Sequence, residues 1–318
     1  MIDAYAGWIG TIGTKVDMNS DWASNTSSDL ALDGRIEAFT RLAVVAGTSS
    51  CHIAMSPNPV FVPGVWGPYR DTIFPGCWMA EGGQSATGQL LKHVLETHPA
   101  FKQALASAES REMNIFEFLN SRLTEMAAER GLRCVADLAR YFFFYGDLFG
   151  NRSPLADSNM TGSIAGLSSD ISIEGLAIHY HGTLEFIALQ TRQIVETMNN
   201  SGHKISLIFM SGSQCQNGIL VNLIASACGM PVVVPRYIQA AVCHGAAMLG
   251  AKAASVNSEG MTVDLWEVVD AMSKPGEAFY PTEDDHESAL LAAKYQVFLD
   301  QCKRQREYRT IVDKATNF

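Results

Sequence analysis

Three glycine-bearing stretches and one acid are where this 318-residue chain could do chemistry. In "VVAGTSSC" (44–51), Gly47 stands between an apolar run and a row of hydroxyls. Its amides and the Thr48 hydroxyl could hold a transferring phosphoryl group, a reaction that asks a protein mainly for positioning and charge stabilisation. The same residues also suit an ordinary hairpin turn in which Thr and Ser serve conformation alone. "EGGQSATG" (81–88) again places paired glycines ahead of a helical pattern. "MSGSQCQN" (210–217) offers turn amides feeding a helix N-terminus, which is either a cradle for a phosphate or base edge or a plain strand-to-helix turn. It lacks the Lys-Ser or Lys-Thr of a P-loop and the spacing of a dinucleotide fingerprint. Three such loops in one chain favour a common cleft.

Asp3, in "DAYAGWIG", is either a general base with room for a substrate or an N-terminal helix cap. His179 and His181 do not share a helix face and no acid or thiol cluster accompanies them, so no metal site is expected. Ser49, Ser50, Cys51 and His52 are too close in sequence to converge as a triad, and G-x-S-x-G is absent, which excludes a serine hydrolase of that kind.

Regular elements must hold these loops. "RLAVVAGTSSCHIAM" (41–55) predicts two strands with a tight connection, and the Pro- and Gly-dense 57–85 predicts short strands and turns. Amphipathic helices are expected over 85–98 and 114–131, and a long one from about Glu174 to Asn199. Then "ISLIFM" (205–210) predicts a buried strand, "GILVNLIASACG" (218–229) a helix with Ile219, Leu220, Leu223, Ile224 and Ala227 on one face, and "PVVVPR" (231–236) another strand. A helix over 240–254 should pack closely through Gly245, Ala246, Gly250 and Ala251, and an amphipathic helix should run from about 283. Strand, glycine turn, helix, strand is α/β organisation, with the turn at a strand's carboxyl end where open sheets bind ligands. The polar stretch 15–34 predicts a surface loop.

Composition sets outer bounds. A formal charge of −10, from 23 Lys and Arg against 33 Asp and Glu, argues against a nucleic-acid surface. Seven cysteines without C-x-x-C suit thiols in a reducing compartment, so a cytoplasmic location is expected. No basic leader and no apolar run of about 18 to 20 residues points to a membrane.

Taken in order, "IDAYAGWIG" (2–10), "VAGTSSCHIAMSPNPVFVPGVWGPY" (45–69), "AEGGQSATGQLLKHV" (80–94), "FGNRSPLADSNMTGSIAGL" (149–167), "FMSGSQCQNGILVNLIASACGMPVVVPR" (209–236) and "AAVCHGAAMLGAKAA" (240–254) resemble the carboxyl-terminal half of FGGY carbohydrate kinases, closest to the pentulose kinase branch that contains D-ribulokinase. The resemblance implies an actin-like, RNase H-like ATPase lobe with helical insertions, the second of two lobes closing on a cleft. Residues 1–35 would end the first, sugar lobe and continue into the polar loop, 36–255 would be the ATP lobe, and 256–318 a helical extension. By the same resemblance Asp3 takes the proton from the attacking sugar hydroxyl. Gly47 and Thr48 approach the β- and γ-phosphates, and Gly82, Gly83 and Gln84 line the nucleotide site. Gly212, Ser213, Gln216 and Asn217 border the adenosine, in a loop where Ser211 replaces the first of the family's two glycines. ATP would bring Mg²⁺ with it, and the substrate would be a pentulose, D-ribulose first.

The family's amino-terminal D-x-G-T phosphate loop has no counterpart in this sequence. The expectation is therefore little kinase activity from this polypeptide alone, with a complementary lobe or self-association covering apolar surface near Ile2, Tyr5, Trp8 and Ile9. The competing expectations are a nucleotide-binding scaffold without catalysis and a kinase for another sugar or polyol.

Overall fold

The computed structural model describes residues 2–16 and 34–316, so the surface loop expected at 15–34 falls almost entirely outside the described residues. In chain order the elements are α1 (Asp3–Ile12), α2 (Gly34–Ala38), β1 (Arg41–Ala46), β2 (Ser50–Ser56), β3 (Trp66–Arg70), β4 (Trp78–Gln84), α3 (Gly88–Thr97), α4 (Phe101–Ser110), α5 (Ile115–Glu129), β5 (Phe143–Tyr145), β6 (Ser163–Ala165), α6 (Ile173–Asn200), β7 (Leu207–Ser211), α7 (Gly218–Cys228), β8 (Val232–Val234), α8 (Ala241–Ala254), α9 (Leu265–Met272), β9 (Glu277–Phe279) and α10 (Asp285–Thr316).

The branched run of β1 turns back at Gly47 and pairs antiparallel with β2, Ala46 opposite Ser50. Its other edge pairs in parallel with β7, and β7 with β8, with α7 crossing between them. The seven-stranded sheet has the order β3-β4-β2-β1-β7-β8-β9, antiparallel over its first half and parallel at its centre. Strand alternation divides the core. Leu42, Val44, Ile208, Met210 and Val232 face one side, where α6, α7 and α10 pack. Ala43, Ile53, Phe209 and Val233 face the other, against α1, α8 and α9.

Helix α7 is capped by the Asn217 side chain at its start and by left-handed Gly229 (φ +64°) at its end. Val221 and Ala225 are buried along with Leu220, Leu223, Ile224 and Ala227, while Ile219 is only half-buried, because the helix is covered on more than one side.

Three expectations are corrected. Tyr5, Trp8 and Ile9 are not exposed: they are buried, at 7%, 0% and 0% of their surface, against the sheet, and only Ile2 of the four stays open. The close crossing of α1 and α8 needs Gly10 and Gly245, whose absent Cβ atoms would sit 2.0 Å from the Ala241 carbonyl and 1.8 Å from that of Ala6, whereas Gly250 faces open space and Ala246 and Ala251 are exposed. The segment after 255 is not only helical, since β9 closes the sheet against β8 before α10 begins.

Candidate functional site

The hairpin between β1 and β2 and the turn after β7 end side by side at the carboxyl edge of the parallel strands. Gly212 makes this possible. Its φ of +100° is open to glycine, and a Cβ there would lie 2.1 Å from the Ala46 carbonyl. The Gly47 and Thr48 carbonyls accept from the first amides of α3: Gly88 N–H donates to Gly47 at 3.1 Å and Gln89 N–H to Thr48 at 3.1 Å. The hairpin loop is thereby seated on that helix N-terminus. The Gln214 amide donates to both the Gly47 carbonyl and the Thr87 hydroxyl, locking the two loops to each other.

These loops form one wall of a cleft of about 1620 Å³, which Gly47, Thr48, Ser213, Gln214, Gln216 and Asn217 line. The rest of the lining comes from α3 and from the amino-terminal turns of α5, where Ile115 and half-open Phe116 stand among Lys92, His93, Asn114 and Glu117. The floor is a closed triangle of side-chain hydrogen bonds. Asn120 of α5 donates to Asn217 (3.1 Å), Asn217 donates to the Tyr180 hydroxyl (2.7 Å), and that hydroxyl donates to Asn120 (2.9 Å). Burial pushes the Tyr180 hydroxyl well above its ordinary range, so it stays protonated as the donor. Two buried oxygens at this end, Gln214 Oε1 and Ser211 Oγ, have no hydrogen-bond partner. Gln214 lines the cleft and Ser211 does not, and such an open, mixed polar and apolar cleft has room for a small-molecule ligand.

The sequence-predicted residues divide between this cleft and elsewhere. Gly47, Thr48, Ser213, Gln216 and Asn217 line the cleft, and Gly212 shapes the turn behind them. Gly82, Gly83 and Gln84 lie within β4, opposite His52, Cys51 and Ser50, outside the cleft lining. Gln84 donates to the Ile187 carbonyl at 3.0 Å, and a Cβ on Gly83 would strike the Ser50 carbonyl at 2.4 Å. Asp3 is the exposed first residue of α1, not its cap, and its carboxylate accepts from the adjacent Ala4 amide at 2.8 Å.

Motif spacing did not reveal a second polar group, near enough to Asp3 for its charge to act on Cys51. Arg152 donates to Glu81 at 2.5 Å, stacks over Trp66 with its guanidinium carbon 4.7 Å from the ring centre, and reaches Cys51 Sγ at 3.5 Å. Burial pushes the Cys51 thiol up; the Arg152 charge pulls it down, and the Glu81 and Asp3 charges push it up again. Burial, then the Glu81 charge, raises the Tyr5 hydroxyl to about 12. In sequence Arg152 stands within the stretch 149–167, which says nothing of its partners. The α5 part of the cleft lining was missed for a different reason: the amphipathic pattern of 114–131 marks a helix but not which neighbour its first turn faces.

Residues 42–254 match the carboxyl-terminal domain of the FGGY family of carbohydrate kinases. A Saccharomyces cerevisiae protein named D-ribulokinase is 51% identical over 254 residues, 80% of this chain and 35% of that protein. FGGY carbohydrate kinase domain-containing proteins of Xenopus laevis and Homo sapiens are each 39% identical over 313 residues, 98% of this chain and 53% of theirs. Among solved structures, a ligand-bound xylulose kinase from Lactobacillus acidophilus has a TM-score of 0.64 over 94% of this chain and 50% of its own, at 15% identity. A Plasmodium falciparum glycerol kinase with ADP reaches 0.61 at 14% identity, over 94% of this chain and 50% of its own. Sheet order and these superpositions define the fold, a mixed α/β layer arrangement shared with those kinase structures. The chain belongs to the FGGY family of carbohydrate kinases. It spans about half, or less, of the length of these relatives. Among the described residues, no helix is long and apolar enough to cross a membrane, and none of the seven cysteines forms a disulfide.

Proposed function

We propose that this chain supplies the ATP-binding half of a pentulose kinase that makes D-ribulose 5-phosphate from D-ribulose and ATP. The observation that carries the reading is the cleft that Gly47, Thr48, Ser213, Gln214, Gln216 and Asn217 line together with Ile115 and Phe116. The 51% identity to a protein named D-ribulokinase supports the choice of sugar. The Gly47–Thr48 loop holds the β- and γ-phosphates, while Ser213, Gln216 and Asn217 hold the adenosine. Mg²⁺ arrives with the nucleotide. Asp3 accepts the proton of the attacking sugar hydroxyl as the new O–P bond forms and the bond to the leaving ADP oxygen breaks. Gly82, Gly83 and Gln84 act through β4, which backs β2 and the hairpin loop. The reducing cytosol suits seven cysteines free of disulfides.

Phosphoryl transfer also needs a second wall that excludes water and aligns the acceptor. A polypeptide of these 318 residues therefore binds nucleotide but turns over slowly without a complementary D-x-G-T lobe. The test is coupled ADP release with ATP and D-ribulose, for this polypeptide alone and mixed with that lobe from a relative. Activity is expected only in the mixture, with Asp3→Asn lowering it about 10² to 10⁴-fold. Turnover by the polypeptide alone within about a hundredfold of the usual 1 to 100 per second contradicts the need for the lobe.

A further inference from the structure

Apart from the nucleotide cleft, three residues with metal-ligand chemistry converge where a short 3-10 turn meets the start of α10. Cys134 is the N-cap of the turn Val135–Ala139, Asp137 lies within it, and His286 is the second residue of α10. Three residues per 3-10 turn bring Cys134 and Asp137 onto the same side. Their Sγ and carboxylate oxygen and the His286 ring nitrogen all lie within 4.8 Å of one another. We propose that Cys134, Asp137 and His286 form a binding site for one zinc-class divalent cation, with water completing the coordination.

The donor set decides the class of ion. One thiolate, one imidazole and one carboxylate suit zinc or cobalt and disfavour Mg²⁺, which takes oxygen ligands in an octahedron. A tetrahedral ion with bonds of about 2.0 to 2.3 Å holds its donors roughly 3.3 to 3.8 Å apart, a spacing this triangle reaches with small side-chain rotations. As it stands, Asp137 is divided between the other two, with Oδ1 at 2.8 Å from His286 Nε2 and Oδ2 at a loose 3.7 Å from Cys134 Sγ. A cation would satisfy all three at once. All three are half-buried, open to an entering ion yet shielded from bulk water.

The backbone around them is already fixed. The His286 amide donates to Asp284 Oδ1 at 2.8 Å, and Asp284 is itself paired with Arg133 at 2.9 Å. The Glu287 charge reaches the Cys134 thiol and adds to the negative field. Loading would staple α10 to a turn about 150 residues earlier in the chain, closing a long loop and favouring the folded state.

The test titrates the full, reduced chain with Co²⁺ in the presence of millimolar Mg²⁺. One equivalent should give a near-ultraviolet thiolate-to-cobalt band that Zn²⁺ abolishes. Cys134→Ser, a near-isosteric change at a half-buried position, should remove the band. His286→Ala should weaken binding at least tenfold, and Zn²⁺ should raise the thermal midpoint of the wild type but not of Cys134→Ser. A folded wild type without the band overturns the proposal. So does a band unchanged in Cys134→Ser, which would place the metal on another thiol such as exposed Cys243.

Discussion

Gly47 and Gly212 look alike in sequence, yet space and backbone give them opposite tasks. A Cβ on Gly47 meets nothing within 4 Å, so the missing side chain leaves room in the cleft. Gly47→Val should keep the thermal midpoint of the wild type and lose at least tenfold in ADP affinity by calorimetry. Gly212 combines φ +100° with a carbonyl 2.1 Å from any Cβ, so Gly212→Ala should cost about 1 to 3 kcal/mol of stability by denaturant titration. The motif marks both glycines, but which one serves a ligand depends on neighbours brought from elsewhere in the chain. Asp3 makes the same point. Spacing allowed a cap, and the structure places it one residue inside the helix beside the Cys51, Glu81 and Arg152 group. His52 and His181, weighed in sequence only for a triad and a metal site, are both fully buried in the structure. Burial lowers both to about 3. The unfolded chain then binds more protons than the folded one between pH 6.5 and about 3, so stability falls as pH falls through that window. The slope should approach about 1.4 kcal/mol per pH unit for each histidine. Urea titrations at pH 7, 6 and 5 should show the decline, flattened in His52→Gln.

At the scale of elements, long amphipathic helices and branched strands were legible because each repeats its pattern over many residues. β9, at three residues, carries no period, and α4 builds its buried face from Ala104 and Ala108, which hydrophobic patterning hardly weights. What joins α10 to α6 was also hidden: Lys294 pairs with Glu185, both 4% exposed, and donates to the Ala139 carbonyl at 2.7 Å. Lys294→Met leaves a buried carboxylate without its partner and should cost about 3 to 5 kcal/mol. The double change Glu185→Met with Lys294→Met should recover most of that loss. A double variant as unstable as the single would show that the pair matters through packing and not through charge.

For the whole molecule, sheet order, core and cleft come from one continuous chain, while Asp3 at the edge of the second polar group is exposed. Trp66 and Tyr69 beside it remain 57% and 44% exposed. Nucleotide binding can be measured apart from catalysis. The most direct measurement is a calorimetric titration of the 318-residue chain with ADP and Mg²⁺. The account predicts one binding site that disappears in a folded Gly47→Val variant. Absence of binding in the wild type, or equal binding in the variant, would contradict it.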